Sequence, residues 1–297
     1  MIIDQKGQIG ENLYSIGSAE LPAWLVTAEK TALFDAGITI MGPLYLADLE
    51  FHLVDPRRLQ HLFLTHAHFD HAGAAPFLKR KIPGLQIAAS RLSADILAKP
   101  NAVKLIQSLS RDFEDKFAPL IQGQNVFFDG LSVDRIVEDG EEIDLGNGWE
   151  FRVMATPGHT RDAVSYYFPH VKALIPGEAA GVLDSQYNIH PEFLASYNDY
   201  ERSLEKLAEL DVEILMLPHQ YVLTGEDARG YLKKSLDRTR EFKERIVRHL
   251  GSFSDKQEDV VQKIFREDYL GTGAIQQDER SYLINLTAKV KAVAAGK

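Results

Sequence analysis

Thr65-His66-Ala67-His68-Phe69-Asp70-His71-Ala72-Gly73 is the stretch on which the reading of this chain turns. Four side chains able to hold a metal, His66, His68, Asp70 and His71, follow directly on the apolar run Leu62-Phe63-Leu64. In extended backbone, residues two apart face the same way, so His66 and His68 converge. A turn through Asp70-His71 then offers a carboxylate and a third imidazole to a neighbouring point. Imidazole and carboxylate are natural nitrogen and oxygen ligands for zinc, iron or manganese. A chance cluster of surface histidines is the bland alternative. The bracketing Thr65 and Gly73, at a strand-to-helix junction, weigh against it. We read the segment as a metal site.

His-x-His-x-Asp-His after a hydrophobic strand resembles the metal-binding motif of the metallo-β-lactamase superfamily. Further motifs of that family have counterparts here in the same order. Asp35 ends the strand-like Ala32-Leu33-Phe34, and His159 follows a Pro-Gly turn in Thr156-Pro157-Gly158-His159-Thr160. His219 follows a strand and a proline in Leu215-Met216-Leu217-Pro218-His219. The resemblance spans about residues 10–222, and in size and layout the chain resembles the hydroxyacylglutathione-hydrolase and lactonase branches. It implies an α/β (α+β) four-layer αββα sandwich with metals at one sheet edge. It also implies that His66, His68 and His159 hold a first ion and Asp70, His71 and His219 a second. Two divalent transition-metal ions are expected, zinc foremost, with iron or manganese as alternatives.

Two positions depart from the family pattern. The usual bridging Asp is replaced by Glu178 in Leu174-Ile175-Pro176-Gly177-Glu178. Its extra methylene leaves open whether it bridges, leans toward one ion or leaves the second site weak, and a Glu178→Asp change is expected to keep or raise metal content. The usual Gly after the final His is Gln220. Asp35 is assigned to orienting the metal loop through hydrogen bonds rather than to a metal.

The chain is 297 residues long with 45% apolar residues, enough to bury a substantial core. No apolar stretch approaches the ~20 residues that span a bilayer. The opening Met1-Ile2-Ile3-Asp4-Gln5-Lys6 lacks the basic and apolar segments of a secretory signal, so a soluble, cytoplasmic protein without a membrane partner is expected. With no cysteine, disulfides, thiolate ligands and a cysteine nucleophile are excluded. The net charge of −10, from 43 acids against 33 bases, disfavours a nucleic-acid partner. Two cations beside Asp70 and Glu178 would nonetheless make the pocket locally positive.

Periodicity predicts strands at 13–16, 23–27, 31–34, 59–64 and 87–89, with helices at 44–53 and 74–81. Residues 91–128 carry helix signals with Phe113, Phe117, Phe127 and Phe128, and read as an insertion packed on the fold edge or as a cleft wall. Strands follow at 132–137, 150–155, 163–168, 171–175 and 212–217, with a helix at 197–210. From Glu226 the pattern is helical: 226–250 ended by Gly251, 256–269 with Asp255 as N-cap, and 279–295. We therefore divide the chain into a sandwich, 1–225, and a C-terminal helical region, 226–297, serving as a lid, a homodimer contact or both.

A metal lowers the pKa of bound water from ~15.7 to about 7 and polarises a carbonyl or phosphoryl oxygen. The expected function is metal-dependent hydrolysis of a small ester, thioester or lactone, with Asp70 also handing a proton to the leaving group, as the resemblance implies. Phosphodiester cleavage at the same centre, or a non-catalytic metal-bearing regulatory role, are the alternatives. His52, His61, His170 and His249 read as ordinary residues, and Lys233-Lys234 as a solvated helix face. Tyr187 and His190 are candidate substrate contacts.

Overall fold

In the strand Pro22–Val26 every residue is buried, Trp24 and Val26 toward one side, Ala23 and Leu25 toward the other. A strand apolar on both faces must be covered on both, and this requirement sets the layers. The structure, a computed structural model, describes residues 1–121 and 123–296. After β1 (Ile2–Ile3), the first half supplies β2 (Gly7–Gly10), β3 (Leu13–Gly17), β4 (Pro22–Val26), β5 (Thr31–Phe34), β6 (Leu59–Phe63), β7 (Gln86–Ser90) and β8 (Arg135–Val137). These seven pair in sequence order. The pairing is antiparallel as far as β5 and parallel beyond it.

The second sheet draws on β9 (Glu142–Asp144), β10 (Glu150–Ala155), β11 (Val164–Phe168), β12 (Ala173–Ile175), β15 (Ile214–Met216) and β16 (Val222–Thr224). Its order is β1-β16-β15-β12-β11-β10-β9, so the N-terminal Ile2–Ile3 returns to pair with β16. A small hairpin, β13 (Val182–Leu183) with β14 (Ile189–His190), stands apart. The helices are α1 (Gly42–Leu53), α2 (Phe69–Ala72), α3 (Ala75–Lys81), α4 (Arg91–Leu97), α5 (Pro100–Lys116), α6 (Ala118–Ile121), α7 (Tyr197–Ala208), α8 (Glu226–Ser252), α9 (Gln257–Ile264) and α10 (Glu279–Ala294).

Three apolar layers hold this together. Between the sheets, Phe34 and Phe63 meet Phe151 edge-on at centroid distances of 5.3 and 5.0 Å. Outside the first sheet, Leu25, Leu33, Leu62 and Ile87 pack with Tyr45 and Leu49 of α1 and Phe77 and Leu78 of α3. Outside the second, Leu174, Leu215 and Leu223 share a core with Leu204 of α7, Ile246 of α8 and Val290 of α10. Each such side chain removed from water contributes roughly 1.5–3 kcal/mol. The result is the expected αββα sandwich, with the C-terminal helices bound into its fourth layer. Among the described residues, no helix is long and apolar enough to cross a membrane.

Several local expectations are corrected. Gly251 does not end α8, which runs on to Ser252; a glycine costs a helix only about 1 kcal/mol and is tolerated near its end. Asp255 is not the N-cap of α9. That place belongs to Lys256, while Asp255 lies in the left-handed region (φ 61°) with its amide on the Leu250 carbonyl. The helix expected to reach residue 269 becomes a π turn over Phe265–Leu270. Of the four phenylalanines in 91–128, Phe128 is buried and Phe113 and Phe117 lean on the same core, which agrees with edge packing. Phe113 also lies 6.3 Å from Phe69 of the metal loop, so α5 borders the site as well.

Candidate metal centre

Strand direction assembles the site. β5 and β6 run parallel; β12 and β15 run parallel, and β10 shares their direction, with β11 antiparallel between. Beyond the C-terminal ends of these five strands lie Asp35, the 65–73 loop, His159, Glu178 and His219. Ligand sites form at carboxyl ends of strands because the chain leaves the sheet there and its polar groups are free to converge.

The loop is sewn in by main-chain bonds. Asp35 N donates to Phe63 O, Ala36 N to His71 O, Gly73 N to Gly37 O and Val164 N to Thr65 O. Gly73 is required by this closeness: a Cβ would meet Phe69 O at 2.4 Å and Gly37 O at 2.7 Å. Gly158, at φ 139°, is required for the same reason, since a Cβ would lie 2.3 Å from Tyr200 Cα. Gln220, where the family usually has glycine, sits at φ 70°, the conformation glycine adopts most easily.

Every residue expected at the site is brought together. His66, His68 and His159 form one group; Asp70, His71, Glu178 and His219 form another; within each, the candidate ligand atoms lie within 4.8 Å of one another. Glu178 faces both. Its Oε1 lies 2.8 Å from His71 Nε2 and 3.2 Å from His219 Nε2. Its Oε2 lies 3.4 Å from His66 Nε2 and 3.9 Å from His159 Nε2. Asp70 Oδ2, on the more open side, is 3.8 Å from His219 Nε2.

These groups fit a cation. His66 Nε2 and Glu178 Oε2 are buried, face each other and have no hydrogen-bond partner. Leaving two such atoms unsatisfied is costly unless something else binds them. The opposite ring nitrogens are held. His71 Nδ1 pairs with Asp35 Oδ2 at 2.8 Å, His159 Nδ1 with Glu192 O at 2.7 Å, and His66 Nδ1 with Thr65 Oγ1 at 3.0 Å. A proton on each of those nitrogens fixes the tautomer in which Nε2 is the atom turned toward the cluster, the one a metal would take.

Asp35 does what was expected of it, accepting from Thr65 N (2.7 Å) and Thr65 Oγ1 (2.8 Å) besides pairing with His71. Burial, then the adjacent His71, holds the His66 imidazole well below its usual pKa. Burial, then His159, brings His68 down to about 4. For His71 burial opposes charging, but Glu178 and Asp35 outweigh it and push the pKa well up. Burial would raise Glu178, yet the facing His71 holds it well below the carboxylate range.

Sequence reading missed three supports. Asp162 Oδ2 accepts from Ala67 N at 2.8 Å and Ser93 Oγ at 2.6 Å, steadying the loop between His66 and His68. Tyr200 Oη donates to Glu178 O at 3.1 Å, and the Glu192 carbonyl takes the His159 proton. Only Asp162 left a local signal, an acid three residues after His159. His52, His61, His170 and His249 lie outside both groups, and Lys233 and Lys234 are exposed on α8, as read. His190 pairs with Asp184 at 3.0 Å, and Tyr187 stands 5.4 Å from Tyr221; neither joins the two groups.

A family model described as the metallo-β-lactamase superfamily matches residues 22–219. A metallo-β-lactamase fold-containing protein of Sulfurisphaera tokodaii is 27% identical over 237 residues, 76% of this chain and 85% of that one. A protein of Bacillus subtilis named a probable metallo-hydrolase is 25% identical over 218 residues, 69% of this chain and 81% of its own. The likeness to a hydroxyacylglutathione hydrolase of Brucella anthropi is local, 48% identity over 46 residues covering 16% of this chain and 17% of the other. In fold, a metallo-β-lactamase family protein of Thermus thermophilus superposes with a TM-score of 0.65 at 18% identity, over 97% of this chain and 95% of that one. The chain belongs to the metallo-β-lactamase superfamily of metallo-hydrolases.

Proposed function

We propose that the protein holds two divalent transition-metal ions, zinc foremost, and hydrolyses a small ester, thioester or lactone. The observation that carries this reading is Glu178, whose two oxygens face different ligand groups while Oε2 and His66 Nε2 stay buried without a hydrogen bond. His66, His68 and His159 would hold one ion and Asp70, His71 and His219 the other, with Glu178 facing both groups. Bound, the ions supply Lewis acidity and a hydroxide nucleophile at neutral pH.

The chain's own groups do the rest. Asp35 fixes the His71 ring, and Thr65 ties Asp35 to the loop. Asp70, partly exposed and 3.8 Å from His219 Nε2, hands a proton to the leaving group in this reading. Phe69, in the metal loop itself, meets Phe113 of α5 at 6.3 Å, an apolar neighbour that would suit an acyl group. The net charge of −10 favours a small substrate over a polyanion.

The test is metal analysis of the purified protein followed by a panel of thioesters, lactones, simple esters and bis-p-nitrophenyl phosphate with zinc, manganese or iron. Two equivalents of metal and turnover of an acyl substrate are expected. Turnover of the phosphodiester alone would reassign the bond broken, and silence with both ions bound would favour a regulatory protein.

A further inference from the structure

Lys289 of α10 is buried, as is its partner: Nζ lies 2.6 Å from Glu192 Oε1, with the two side chains 6% and 8% exposed. Burying two charges is costly unless pairing restores what desolvation takes, so a pair at this place calls for a reason. The main chain of Glu192 supplies one. Its carbonyl accepts the His159 Nδ1 proton at 2.7 Å, and its amide donates to Tyr200 Oη at 3.2 Å. Tyr200 Oη in turn donates to the carbonyl of Glu178 at 3.1 Å.

Glu192 lies in 191–196, between β14 and α7, a segment without regular secondary structure. No strand pairing fixes its carbonyl; Ala195 N and Ser196 N tie the end of the segment to Gly158 and His159, and Glu192 itself is held by its buried side chain and the tyrosine behind it. The anchor for the side chain comes from the far end of the sequence, 97 positions away.

We propose that Lys289 is a positioning residue for the metal centre. By pinning Glu192 it fixes the carbonyl that selects the His159 tautomer, and so the geometry of the His66–His68–His159 group. This rests on the reading of His159 as a ligand. The C-terminal helices then act on the centre from behind, through one ion pair.

The test uses the full-length, metal-stripped protein titrated with Co²⁺, whose visible spectrum distinguishes a nitrogen-rich site from a carboxylate-bearing one. Lys289→Met is expected to weaken the nitrogen-rich equivalent by about tenfold, the lower range for loss of a group supporting a ligand, and to leave the other unchanged. Lys289→Arg should restore part of that loss. If Lys289→Met does not fold, the paired Lys289→Met/Glu192→Gln variant, which leaves no lone buried charge, is titrated by the same criterion. Equal weakening of both equivalents, or of neither, overturns the proposal, since a mere staple for α10 would not single out one site. If the wild type takes up no Co²⁺, the metal reading fails. The positioning claim is then judged on the metal-free protein: the His159 Nδ1–H resonance should be slow to exchange in the wild type and lost in Lys289→Met, and its persistence would refute the claim.

Discussion

The 65–73 loop and the trio His159, Glu178 and His219 converge on one place but are built by different means. In the loop, four candidate ligands come from one stretch of six residues, whose main chain is fastened to Asp35, Gly37 and Asp162. Thr65 serves both Asp35 and His66, and the peptide itself closes on Gly37 through Gly73. In the trio each residue comes from the end of a different strand and is held by distant partners: Glu192 for His159, Tyr200 for the Glu178 loop. A local motif carries its ligands together, whereas a dispersed one gathers them, one strand end at a time, from the whole sandwich. Damage to the two should therefore look different.

The largest effect is expected in the loop. His66→Ala with His68→Ala removes two candidate ligands from one group, and metal affinity should fall by more than the about 10–100-fold that loss of a supporting hydrogen-bond partner costs. Thermal stability of the metal-free form should barely move. Normal metal content by elemental analysis would dismiss the loop as the ligand source.

Glu178→Asp comes next. From the family resemblance alone the change is expected to keep or raise metal content. The geometry reverses this, because shortening the side chain withdraws both oxygens by about 1.5 Å. Coordination tolerates only ~0.2 Å, so affinity for one equivalent should drop by at least about tenfold. Unchanged titration curves would show that the 177–180 turn can move forward.

Gly158→Ala tests the dispersed side through folding rather than chemistry. A Cβ there meets the backbone of Tyr200 at a φ of 139°, and the variant should lose at least about 2 kcal/mol in denaturant unfolding. A neutral result would mean the Pro-Gly turn is free to relax.

The smallest effect is expected at the rim. Asp184 accepts from Gln186 N, Asn188 N and the side chains of Asn188 and His190. Burial would raise its pKa, but the bonds from His190 and Asn188 hold it below the ordinary value. A depressed carboxylate contributes stability above its unfolded pKa of about 3.9 and loses it as pH falls through the lower folded value. Asp184→Asn should cost about 1 kcal/mol near neutrality, seen as faster hydrogen exchange in β13 and β14, with the difference closing below pH 4. Metal uptake should not change, because Glu192 is anchored separately. A parallel loss of metal would join the hairpin to the centre.

The same contrast explains what could be read from the sequence. The loop, Asp35, His159 and His219 were visible because each sits at a strand end marked by an apolar run and a turn residue. Strands β4, β5, β6, β10 and β11 are legible as short β-compatible runs, most of them buried on both faces. The pairing of Ile2–Ile3 with β16 was not visible, for two residues carry no period and their partners lie over two hundred positions away. Nor was the role of Glu192, whose contribution to His159 is a main-chain carbonyl common to every residue type. Lys289 looked like any lysine of an amphipathic helix until its partner was placed. Asp255 failed as a cap because the end of α8 had already claimed its backbone in a left-handed turn.

The most direct test of the centre is anomalous X-ray diffraction at the metal edge from crystals of the metal-loaded protein. Two peaks about 3.5–4 Å apart are expected, one among His66, His68 and His159, the other among Asp70, His71 and His219, with a Glu178 oxygen on each. A single peak with Glu178 turned away from it, or none, would contradict the account.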